Sequence, residues 1–228
     1  MGSSEAEARY EAKREAAPAL VVALLVLVLL AVVSLVQGWE LLHRVPGWVW
    51  FLLAIPELLL LLDLLLAARG AGLAQARHVA LWLLRVLVVG NLTALAILVA
   101  GLGTTSTGEL GGGELLLTAV AILVTNVIVF GLWFWEIDDG GPVDRAGRPR
   151  SRPDFQFPQD ENPQLAPDGW SPHVWDYVYL SLTNSIAFSP TDAMPLSRHA
   201  KSLMGLESAI SIAAIVLVTA RAVNVLGS

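Results

Sequence analysis

Five runs of apolar residues divide the chain, near Ala19–Gln37, Gly47–Ala67, His78–Ala100, Leu115–Trp135 and Leu203–Leu226. Each is long enough to cross a hydrocarbon core, which needs about 20 helical residues. The pattern predicts an all-α fold, a polytopic bundle of membrane helices with five spans. The first run exceeds the roughly 7–15 apolar residues of a signal peptide. Its leader mixes acidic with basic residues and no small-x-small cleavage site follows, so it reads as a retained span. Trp39, Trp48, Trp50, Trp82, Trp133 and Trp135 fall at or near the ends of the runs. An indole has an apolar body and a polar N–H, and both are satisfied at headgroup level.

Between the fourth and fifth runs the pattern changes. Residues 136–172 hold seven of the twelve prolines, with glycine and charge interspersed, and the stretch Gly140–Pro153 reads as a flexible loop without a core. Four segments follow from this: a cytoplasmic N-terminal segment 1–18, a four-helix region 19–135, a polar proline-rich loop 136–172, and a C-terminal unit 173–228.

That last unit opens with His173–Pro190, reading HVWDYVYLSLTNSIAFSP. Its apolar centre, Trp175–Phe188, is about 14 residues long and carries Asp176, Thr183, Asn184 and Ser185. Apolar stretches of about 10–14 residues are more often re-entrant or interfacial than spanning. Basic residues decide the orientation. With the N-terminus inside and this segment re-entrant, Arg9, Lys13, Arg14, Arg69, Arg77, Arg145, Arg148, Arg150, Arg152, Arg198 and Lys201 share the cytoplasmic side. Arg44 and Arg221 alone fall outside, as the positive-inside bias prefers. Making the segment a sixth span sends Arg198 and Lys201 outward and weakens that bias. The expectation is five spans, N-in and C-out, in a cytoplasmic (cell) membrane, plus a short helix dipping in from the cytoplasm.

Composition agrees and narrows the function classes. Of 228 residues, 55% are hydrophobic and 15% charged, whereas soluble domains run near 25% charged. Fourteen basic against twenty acidic residues leave a net charge of −6, with no tract dense enough to bind nucleic acid. The chain has no cysteine, which excludes thiolate metal sites and a cysteine nucleophile. His43, His78, His173 and His199 show no ligand spacing, so no metal site is expected. Ser197 and His199, two residues apart, do not face each other on a helix. Gly111–Gly113 lacks the lysine of a phosphate-binding loop. No enzyme activity and no cofactor are expected.

Ionisable residues at bilayer depth are functional candidates by default. The second run contains Pro56, Glu57 and Asp63, and the third contains Arg85 and Asn91. The short connection Ala68–Arg77 makes the two runs antiparallel neighbours, which brings Arg85 within reach of either acid. The pair reads as a structural ion pair or as a proton relay through Glu57. Gly205, Ala209 and Ala213 form a small-residue stripe suited to close helix packing in lipid. Glu207 and Asp192 read as mouth residues, either solvated or arranged as acidic rings in an assembly.

The order of outer helix, short aromatic helix, polar turn and last helix resembles the pore module of potassium channels. Ser185, Ile186, Ala187, Phe188 and Ser189 stand where that family carries its filter, with Asp192 following. The resemblance implies a pore loop, a cation path and a fourfold homo-oligomer. Alanine and serine replace filter glycines, so an ordinary carbonyl filter is not implied. The chain also resembles a family of small bacterial integral membrane proteins of unassigned function. The shared features are Asp154-Phe155-Gln156-Phe157-Pro158, Trp175-Asp176-Tyr177, Thr183 with Phe188, and Ser197-Arg198.

Together these lead to a protein partnered with the lipid bilayer and with copies of itself. The leading expectation is monovalent-cation permeation. Thr183, Asn184, Ser185, Ala187, Phe188, Ser189 and Asp192 form the candidate constriction. The alternatives are a non-conducting structural or assembly protein and a proton-coupled transporter using Glu57 and Arg85.

Overall fold

The computed structural model describes residues 3–37, 40–41, 45–46, 52, 54–56, 58–62, 76–104, 112–146, 149–187 and 192–226. Long helices dominate: α1 (Ser3–Gln37), α2 (Ala76–Thr104), α3 (Gly112–Ile137), α4 (Val174–Ala187) and α5 (Arg198–Leu226). Two-residue strands form two antiparallel pairs, β1 (Glu40–Leu41) with β2 (Val45–Pro46), and β3 (Phe155–Gln156) with β4 (Met194–Pro195).

Four segments among the described residues are long and apolar enough to cross a membrane: Tyr10–Gln37, Arg77–Val99, Leu116–Gly140 and Arg198–Ala220. Their outer faces carry side chains that water would not tolerate in such numbers, Leu25, Val89, Trp82 and Val216 among them, each more than half exposed. Such a continuous apolar exterior suits acyl chains. The chain is an all-α, multi-pass membrane protein. Most of the second expected span, with Glu57 and Asp63, lies outside the described residues. The residues of it that are described, 52, 54–56 and 58–62, are helical, and Pro56 is buried. Helix α1 runs without a break across residue 18, so residues 3–18 are continuous with the first span.

Helix α3 occupies the centre, packed against α1, α2, α4 and α5. Its sequence explains this, because apolar or small residues surround it on every side rather than along one stripe; Ile122, Val129, Phe130 and Phe134 are all buried. Trp133 and Trp135 are buried near the end of this helix, and neither indole N–H has a partner among the described residues. The central position of α3 encloses them among the other helices. Trp82, on α2, is exposed.

One end of the bundle collects several chain segments. Glu15 of α1 accepts from the first amide of α4, at Val174. Arg77 at the start of α2 donates to the Glu136 carbonyl near the end of α3, at 3.2 Å. The β3–β4 pair ties the chain that precedes α4 to the chain that precedes α5, with Phe155 opposite Pro195. Helices α4 and α5 therefore start from the same end. Ser181 meets Glu207 and Ser185 meets Ser211, and both pairs are 26 residues apart. A constant offset means that the two helices run in the same direction. Helix α3 runs against them, with Val178 over Gly131 and Ser181 on the Val127 carbonyl at 2.7 Å.

At Gly131 the backbones of α3 and α4 come into close contact. A Cβ there would stand 2.8 Å from the Val178 Cα, which is backbone and cannot swing aside. Gly131→Ala should push the helices apart and cost about 1–3 kcal/mol, read as a lower unfolding midpoint in detergent; an unchanged midpoint would show that the contact is looser than described.

Candidate functional site

Two polar clusters lie in and against the bundle. The first sits where α3 ends. The Ile137-Asp138-Asp139-Gly140-Gly141 run turns the chain sharply, with Asp139 in the left-handed region (φ 48°) and Gly140 and Gly141 at φ 88° and 98°. Glycine tolerates such angles, and aspartate is among the few other residues that visit them. Asp139 is held there by accepting from the amides of Arg152 at 2.9 Å and Ser151 at 3.1 Å.

Asp138, fully buried, gathers the neighbouring segments. One carboxylate oxygen accepts from the amides of Asp154 (2.6 Å) and Phe155 (3.1 Å); the other accepts from the Tyr177 hydroxyl and from Arg150. Arg150 also bonds Asp160 and the Phe155 carbonyl (2.8 Å), while its face lies over Phe157. Arg145 donates to the carbonyls of Trp135 (2.8 Å) and Asp138 (2.6 Å) and covers the Tyr177 ring. Phe134, Phe155, Tyr177, Phe157 and Trp170 form a continuous run of ring contacts with centroids 5.1–6.2 Å apart.

Of the stretch Gly140–Pro153, expected as a flexible loop, the described residues 140–146 and 149–153 are thus anchored. Arg145 and Arg150 find a buried carboxylate and carbonyls, and the Asp154–Pro158 motif supplies aromatic surface beside them. Burial pushes the Tyr177 phenol well above its usual ionisation range. The Arg145 guanidinium pulls it part of the way back, and the Asp138 carboxylate raises it again by charge and hydrogen bond.

The second cluster lies deeper, between α3, α4 and α5, and centres on Glu207. Expected at a mouth, Glu207 is fully buried, because its position on α5 turns it toward α4 and α3 rather than toward solvent. Its carboxyl group meets Ser181, Ser185 (3.1 Å) and the Asn184 amide (2.6 Å). Asn184 also donates to the Met204 carbonyl at 3.0 Å and accepts from Ser208 at 3.3 Å. Ser211 donates to Ser185 at 3.0 Å, and Asn126 of α3 donates to Ser211 at 3.1 Å. No ion pair to Glu207 occurs among the described residues.

Of the candidate constriction, Asn184 and Ser185 are therefore occupied inside the chain. Thr183 is half-buried and returns its hydroxyl to the Leu180 carbonyl at 3.0 Å. Ala187 and Asp192 are exposed, while Phe188 and Ser189 lie outside the described residues. Arg85 stacks its guanidinium over Trp82 (5.1 Å) and Trp133 (6.0 Å); its expected partners Glu57 and Asp63 lie outside the described residues. Gly205 and Ala209 face outward, not into the bundle. Ser197 caps α5, accepting from the Ala200 amide at 3.0 Å.

Sequence reasoning passed over Asp138, Arg150 and Tyr177 as a group, and over Asn126, Ser181, Ser208 and Ser211. A signal was present for the deeper cluster. Ser181, Asn184 and Ser185 on one helix, and Glu207, Ser208 and Ser211 on the other, recur at the three- and four-residue spacings that make one helix face. No family model, curated protein or solved structure matches the chain.

Asp138→Ala should cost about 3–5 kcal/mol, since Arg150 and Tyr177 would lose a buried partner. The Tyr177 phenol keeps its proton to higher pH when folded than when unfolded. Stability should hold below the ordinary tyrosine range near about pH 10 and fall as the pH rises through it. Tyr177→Phe should remove that alkaline loss in an unfolding series; an identical pH profile would refute the assignment.

Proposed function

We propose that this chain is an ion-permeation protein of a cell membrane, a self-associating bundle of five spans with a pore-loop module made by α4, the turn after it and α5. One observation carries this reading: α4 and α5 leave from the same end of the bundle and run in the same direction. Helix α4, with 14 residues, is about 21 Å long, short of a hydrocarbon core near 30 Å. In this reading it dips in and the chain comes back before α5 crosses completely. Shelter for such a dip is supplied by α3 on one side and α5 on the other, as membrane-embedded irregular backbone requires.

The permeant species is a monovalent cation. With Asn184 and Ser185 turned inward, the constriction falls to Thr183, Ala187 and the turn through Phe188, Ser189 and Asp192. Copies meet along the outward face of α5, where a Cβ on Gly205 would touch nothing within 4 Å. The N-terminus and the polar region 138–172 lie on the cytoplasmic side, where the basic residues concentrate. The resemblances to the potassium-channel pore module and to the bacterial membrane family support this reading by motif alone.

Single-cysteine variants need no background removal, since the chain has no cysteine. Ser171→Cys and His199→Cys should both label from the same face of sealed vesicles, and labelling from opposite faces would replace the dip with a sixth span. In liposomes the purified protein should leak monovalent cations, and Thr183→Ala should change that flux severalfold. Folded protein that leaks no more than protein-free vesicles would leave the non-conducting assembly role. Gly205→Ile should weaken self-association in crosslinking without unfolding the protein.

A further inference from the structure

We propose that Glu207 is a proton-binding site inside the bundle, its side chain held between α3, α4 and α5 as the neutral acid that donates to Ser181. A count of hydrogens leads to this assignment independently of the permeation reading. A serine hydroxyl has one hydrogen to give and two lone pairs with which to accept. Ser181 stands 2.7 Å from the Val127 carbonyl and also touches a Glu207 carboxyl oxygen. The carbonyl has no hydrogen, so that of Ser181 goes to Val127. The contact between Ser181 and Glu207 then needs a hydrogen from the carboxyl group.

With that proton in place every other bond is satisfied once. Asn126 donates to Ser211, Ser211 to Ser185, Ser185 to Glu207, Glu207 to Ser181, and Ser181 to the Val127 carbonyl. The Asn184 amide is fixed in orientation, because its nitrogen serves two acceptors, the Met204 carbonyl and Glu207, while its oxygen accepts from Ser208. An ionised Glu207 breaks the string at one joint, where two acceptors face the single hydrogen of Ser181. Loss of the proton therefore turns Ser181 away from Val127 and releases a tie between α4 and α3.

Among the described residues, the charged and titratable groups of the surrounding elements are engaged elsewhere or exposed. Asp138 and Tyr177 bond each other at the end of the bundle, and Glu136 faces Arg77 there. Asp176 accepts from the His173 amide, Glu15 from Val174, and Arg85 stacks on Trp82. Arg198 and Lys201 are exposed at the start of α5. None supplies a countercharge to Glu207, and a bare buried charge is the costly alternative.

Infrared spectroscopy of the full chain in liposomes at neutral pH tests this. A protonated carboxylic acid shows a carbonyl band distinct from that of carboxylates. The band should vanish in Glu207→Gln, whose amide keeps a donor toward Ser181 and an acceptor toward Asn184. It should move to higher frequency in Ser181→Ala, which removes the acceptor of the proton. A folded Glu207→Gln protein with an unchanged spectrum in this region would overturn the proposal. If that variant does not fold, wild-type protein carrying 13C at the glutamate carboxyls decides the matter. An acid band that shifts with the label supports the site, and the absence of any label-sensitive acid band overturns it.

Discussion

A buried anion at the end of α3 organises everything that follows it in the chain. Asp138 is enclosed, and an isolated carboxylate there would be strongly disfavoured. It is stabilised only because two backbone amides, a phenol and a guanidinium converge on it. Meeting those four demands fixes where the polar region folds back, where β3 lies, and how the first turn of α4 faces α3. The aromatic contacts from Phe134 through Tyr177 to Trp170 then fill the space around the arginines. Without the carboxylate, Arg150 and Tyr177 have little reason to be near each other.

Deeper in the bundle the chain uses neutral hydrogen bonds for the same purpose. Apolar exclusion does little to hold helices together in lipid, so packing and polar contacts between them matter more. Asn126, Ser181, Asn184, Ser185, Ser208 and Ser211 knit three helices around Glu207, and Gly131 lets two of them come within backbone contact. A smaller pair repeats the device between α2 and α3, where Asn91 meets Thr125. Thr125 gives its hydrogen to the Ala121 carbonyl at 2.8 Å, and the Asn91 amide nitrogen has no partner among the described residues.

Hydropathy made the spans near His78–Ala100, Leu115–Trp135 and Leu203–Leu226 legible, because length and apolar content are local properties of the chain. The same signal marked Trp175–Phe188 as too short and too polar to resemble its neighbours. It could not show which way a side chain turns. Glu207 reads as a mouth residue when placed only by distance from the start of a span, and becomes a core residue once helix direction and partners are known. The anchoring of residues 140–153 was hidden for another reason. It depends on pairing between Phe155–Gln156 and Met194–Pro195 and on a carboxylate shared by distant segments. Such two-residue strands carry no periodicity, and prolines and glycines read as breakers whichever tertiary contacts hold them.

The order in which the chain is made gives the Asp138 cluster one more meaning. Every donor to that carboxylate, from Arg150 to Tyr177, precedes α5 in the chain and so is synthesised before it. The end of the bundle on which β4 must dock is thus set in advance by residues already present. The last helix arrives at a prepared seat, and its direction is inherited from a turn about sixty residues earlier, on the order of three full bilayer crossings of chain.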